Sequence, residues 1–160
     1  MKSIKLILIA LLGLMLIVGC EDTKNDDNKN DVDAWIGTWL STGQDVAPLL
    51  VALFAYDSVR VTFDDDNTLT LESHVANGAW TTLNGTYVIT ESDEGNIHGF
   101  YANYTAFEQE GIIELIDDDM RLEAVQTVPD IGATVPTVAG GFGADPALLT
   151  MNIQTYKRVD

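Results

Sequence analysis

Basic residues are scarce in this chain. Its 160 residues include 8 Lys+Arg against 25 Asp+Glu, a formal net charge of −17. Binding a phosphate backbone needs Lys and Arg patches, so nucleic acid is excluded as a partner. Electrostatic adsorption to anionic lipid is disfavoured for the same reason. Cysteine occurs once, which rules out an internal disulfide. Histidine occurs twice, as His74 and His98, and nothing in the sequence places the two together as metal ligands. Gly140-Gly141 neither follows a strand nor opens a helix, so no phosphate-cradling loop is present. No catalytic residue, metal or cofactor is therefore expected, and the chain reads as non-enzymatic. At 46% hydrophobic it is not disordered as a whole, and its length suits one domain.

What is present begins with the address. Lys2 and Lys5 precede Leu6–Val18, an uncharged run too short to span a bilayer but right for a signal-peptide core. The run closes Leu16-Ile17-Val18-Gly19-Cys20. This resembles the lipobox of bacterial lipoproteins. The resemblance implies cleavage after residue 19 and acyl chains, palmitate among them, on Cys20. Two or more such chains give stable membrane anchoring. It also implies a place in the bacterial cell envelope, at the outer membrane, facing the periplasm or the surface. Residues 20–33 are the lipidated Cys and a polar, Asp- and Asn-rich tether. As a random coil it spans about 20 Å.

From residue 34 to 160 the pattern is that of a folded domain. Ser58–Phe63 and Thr68–Val75 alternate apolar and polar residues around the turn Asp64–Asn67, as half-buried antiparallel strands do. Further strands are expected at 35–40, 80–90, 97–104, 111–116, 120–128 and 149–159, eight in all, with Asn77-Gly78 marking a hairpin. Gln44–Ala55 has the apolar spacing of a helix, with Asp45 as a candidate cap and Pro48 suited to its first turn. Residues 129–146, rich in Gly and Pro, form a long loop. The expected fold is all-β: a small eight-stranded up-and-down barrel with one helical lid segment after strand one.

Gly37-Thr38-Trp39 resembles the Gly-x-Trp signature of lipocalins. The resemblance implies that Trp39 plugs the barrel base and that Arg158, on the last strand, packs on its ring. Gly37, Trp39 and Arg158 are thus base residues, and the barrel is expected to bind a small hydrophobic ligand such as a lipid or fatty acid. Inward candidates for that ligand are Phe63, Leu71, Tyr87, Tyr101, Leu115 and Met151, with Leu50 and Phe54 on the lid. Gly85 and Gly99 are small and would open space at inward sites. Loop 129–146 is expected beside the lid. The alternative is a filled barrel that serves as an envelope structural or protein-interaction module. The acidic clusters Asp64–Asp66 and Asp117–Asp119 read as solvated turns rather than Ca²⁺ sites. The domain itself holds 19 acids and 4 basic residues, a net −15, so the acidity is not confined to the tether.

Overall fold

A computed structural model describes residues 34–93 and 95–159. The expected signal segment, Cys20 and the tether to Asp33 lie outside the described residues. Eight strands run β1 (Gly37–Thr42), β2 (Tyr56–Phe63), β3 (Thr68–Val75), β4 (Thr81–Thr90), β5 (Ile97–Tyr104), β6 (Glu108–Ile116), β7 (Asp119–Val128) and β8 (Ile153–Arg158). Each pairs antiparallel with its neighbour and β8 returns to β1, closing the barrel. Among the described residues, Trp39↔Arg158 and Leu40↔Lys157 register across that closing seam, and the Val159 N–H donates to Thr38 O at 3.0 Å.

Turns 64–67, 91–96 and 117–118 lie at one end, the base. The lid segment, the β3–β4 hairpin and both ends of the 129–152 connection lie at the other. In the 64–67 turn, Asn67 takes a positive φ of 64° and Asp66 Oδ1 accepts the Thr68 backbone N–H at 3.0 Å. The acidic residues there are turn formers, as the sequence suggested.

The lid segment divides. Gly43–Asp45 is a 3₁₀ turn, and α1 (Pro48–Phe54) follows it with Pro in its first turn. Asp45 does not cap α1: Ala47 occupies the cap position without a side-chain bond. Ala55 closes the helix in the left-handed region at φ 55°. The seven residues are held by tertiary contacts. Leu49 N–H donates to Met151 O at 2.8 Å, and Leu50 packs against the core.

The interior is lined from alternating strand positions. Trp39, Val59, Val61, Phe63, Leu69, Tyr87, Phe100, Ala102, Tyr104, Ile113, Met120 and Tyr156 form one buried cluster. Two strands run in the opposite phase to that expected. On β5 the inward set is Phe100, Ala102 and Tyr104, so Tyr101 lies on the outer wall. On β8 it is Gln154 and Tyr156; the strand starts at Ile153, and Met151 stays exposed in the turn before it. A one-residue slip carries every side chain of a strand to the other face.

The two small residues open no space inside. A Cβ on Gly85 would meet Asn103 O at 2.4 Å, and the Tyr104 ring already covers the site. Gly99 pairs with Ile112 on the outer wall. The long connection also departs from expectation. It does not stay beside the lid but straps the outside of β5–β7, so Ile112 and Glu123 are buried on the outer face, at 0% and 1% exposure. Beneath it, Gly111 is a close backbone approach: a Cβ there would lie 2.0 Å from Glu123 O.

Candidate functional site

The base is locked around Trp39, which is fully buried. The Arg158 guanidinium lies 4.2 Å from the Trp39 ring centroid and donates to Ile36 O at 2.9 Å and to Ala34 O. The Trp39 indole N–H donates to Trp35 O at 2.9 Å. Gly37 holds φ 129°, a conformation side chains disfavour, where the chain enters β1. All three expected base residues are thus brought together. His98 joins them. It is in register with the inward Ile113, and its ring meets Trp35 edge-on at 5.7 Å.

Phe63 and Tyr87 pack edge to face at 4.7 Å, and the Tyr87 hydroxyl donates to Asp64 O at 3.0 Å. Both belong to the packed base. Burial pushes the Tyr104 and Tyr156 hydroxyls far above the ordinary phenol range. Leu71 and Leu115 line the inner wall, each half-buried. Leu50 closes on the core from α1, whereas Phe54 stands 53% exposed and stacks on Tyr56 at 5.3 Å. Tyr101 lines an external depression of about 340 Å³ with Glu110 and Ile112.

Under the lid the interior changes character. Ser41, opposite Val59, is fully buried, and its Oγ has no partner. Gln154, opposite Leu122, is 4% exposed; its Oε1 accepts the Ala47 backbone N–H at 2.8 Å, and its Nε2 has no partner. Neither residue announces itself in the sequence, where Ser41 falls just past the strand expected at 35–40 and Gln154 alternates with the inward candidate Met151 as a polar outward position. The lid that Gln154 fastens presents Val51, Leu53 and Phe54 outward, with Leu149 and Met151 beside it. Together these residues give the lid end an apolar rim.

All four basic side chains of the domain are engaged. Arg60 bonds Glu72 at 2.5 Å, Arg121 bonds Glu114 at 3.3 Å and stacks on Phe142, Lys157 pairs with Asp119, and Arg158 holds the base. The Arg60 hydrogen bond holds the Glu72 carboxyl below its usual range. His74 sits on the outer wall, 2.6 Å from Asp57, and that bond lowers the Asp57 carboxyl. His74 and His98 therefore lie on opposite faces of the wall and do not converge. Among the described residues, no three His, Cys, Asp or Glu side chains gather as a metal-ligand group.

The fold and site together define a closed eight-stranded antiparallel barrel with a helical lid and an aromatic-packed base. Compared with known families, curated proteins and solved structures, the chain matches none.

Proposed function

We propose that this chain is a bacterial envelope lipoprotein, anchored through acylated Cys20, whose lipocalin-like barrel takes a small hydrophobic ligand of the lipid or fatty-acid class at its lid end. One observation carries the reading. Ser41 Oγ and Gln154 Nε2 are buried inside the barrel without a partner, at its lid end. Buried polar side-chain atoms are nearly always paired, and an unpaired one costs about 1–3 kcal/mol. Two on one inner wall call for a polar occupant, such as the carbonyl or carboxyl of an amphiphile. Leu50 and Leu71 supply apolar surface close by. The packed base leaves the lid end as the place of entry. Ala34 lies at the base, so the tether would leave from there and the lid would face away from the anchoring bilayer.

The test is native mass spectrometry of the full chain released from membranes in mild detergent. A bound lipid should survive Tyr101→Phe, on the outer wall, and be lost in Gln154→Leu. No adduct in the unmodified protein, together with no displacement of a fluorescent fatty-acid analogue, would refute ligand binding. A second reading, a filled barrel that docks a protein, is favoured by the exposed Val51, Leu53 and Phe54. Site-specific crosslinking from position 53 in intact cells should then capture one discrete partner.

A further inference from the structure

Among the described residues, Glu123 is the one acidic side chain that is fully buried. It lies on the outer face of β7, between Ile112 and Ile153 on the flanking strands, and the 129–146 strap buries it to 1% exposure. One oxygen, Oε2, accepts the Gly143 backbone N–H at 2.7 Å. The other, Oε1, has neither solvent nor a partner. A buried carboxylate in this state is costly unless a positive charge compensates it. The domain's four cationic side chains are all occupied elsewhere, as described above.

Glu123 lines a cavity of about 210 Å³ between the strap and the barrel wall. The lining includes Thr134, Pro136, Thr137, Asp145 and Pro146. Its chemistry is one-sided. Glu123, Asp145, Thr134 and Thr137 are the lining residues with side-chain oxygens, Asp145 Oδ1 accepting the Ala147 backbone N–H at 2.7 Å; the two prolines carry no N–H, and no Lys, Arg or His is in the lining. Hard oxygen donors without nitrogen or sulfur suit Ca²⁺ and not Zn²⁺ or Cu²⁺.

We propose that this cavity is a Ca²⁺ site in which Glu123 is the principal ligand and Asp145 the second. The remaining positions go to hydroxyl and main-chain oxygens of the strap and to water. At about 30 Å³ per water molecule, the cavity accommodates a partly hydrated ion. Few protein ligands and a retained water shell place the affinity on the order of 10⁻⁴ to 10⁻³ M, the range of extracellular modules. The ion would fasten the strap to the wall from outside, at a site separate from the lid end. The acidic turns at 64–66 and 117–119 do not share this arrangement, because their side chains are solvated.

Calcium titration of the full chain in detergent, read by calorimetry and by melting temperature, tests the assignment. Binding should appear in the unmodified protein and in Asp66→Asn. It should weaken at least tenfold in Glu123→Gln, a change roughly equal to losing a principal carboxylate ligand. The chain's net charge of −17 is screened by any salt, so matched ionic strengths of Mg²⁺ and K⁺ are run alongside. Hydrogen exchange on the unmodified protein gives a readout independent of any variant: Ca²⁺ should slow the Gly143 amide. No binding at 10 mM Ca²⁺ (about ten times the weakest expected constant), an equal response to Mg²⁺ or K⁺, undiminished binding in Glu123→Gln, or an unchanged Gly143 amide would each overturn the proposal.

Discussion

Replacing Arg158 by Met tests the base lock. The stem length is nearly kept, while the charge over Trp39 and the donors to Ile36 O and Ala34 O are lost. A cation over an indole contributes about 0.5–2 kcal/mol, toward the upper end when desolvated, as the 4.2 Å approach to a fully buried ring requires. A hydrogen bond from a charged donor adds about 1.5–3 kcal/mol. The Ile36 bond is partly buried and counts; the Ala34 bond is exposed and contributes little. The expected loss is about 2–5 kcal/mol. For a domain of this size, that moves the urea midpoint by roughly 1–2.5 M. Equilibrium unfolding followed by tryptophan fluorescence measures it. Arg158→Lys should recover less than half, because a point charge cannot hold the ring and a carbonyl together. A cycle with Trp39→Phe should show coupling of about 0.5–2 kcal/mol. A loss under about 1 kcal/mol in Arg158→Met, or no coupling to Trp39, would show that the base is held by packing alone and refute the lock.

Other outcomes follow from the wall. Gly111→Ala would place a methyl 2.0 Å from the Glu123 carbonyl, a backbone atom that can retreat only by breaking the β6–β7 ladder. A loss of at least about 3 kcal/mol, or failure to fold, is expected by circular dichroism melting; a near-neutral result would show that the two strands do not approach this closely. Tyr104 and Tyr156 have hydroxyls raised by burial, so the folded state keeps protons that the unfolded state releases above its ordinary value near 10. Their stabilisation is therefore full below about pH 10 and falls as pH rises, by about 1.4 kcal/mol per tyrosine per pH unit. Denaturant titrations at pH 9 and 11 should show stability falling with pH, and Tyr156→Phe should make the fall less steep.

The barrel was legible because its strands carry one-sided alternation. Val59, Val61 and Phe63 on β2 and Leu69 and Leu71 on β3 leave only one inward face. Phase failed where both faces are apolar or both polar. On β5, Tyr101 competes with Phe100, Ala102 and Tyr104, and the hairpin register decides between them. On β8, Ile153 outside and Gln154 inside reverse the simple rule, because the strap covers the neighbouring outer wall. Glu123 was hidden for the same reason. Between Arg121 and Val125 it reads as a solvent-facing position, and only the apolar residues of the strap hint that something must lie beneath it. The base fared better because Trp39 and Arg158 are large, distinctive groups. Ser41 and Gln154 carry no such signal.

The seam between β1 and β8 bears on the order of events as the chain is made. Every other strand pair joins sequence neighbours and forms locally, whereas this pair joins Trp39 to Arg158 across the whole domain. Non-local closure is the slow step of such a topology. A chain that emerges amino end first therefore stays open until β8, with the clasp residue Arg158, has emerged. Under the export proposed above, that delay would keep the barrel from locking while the chain is still being threaded.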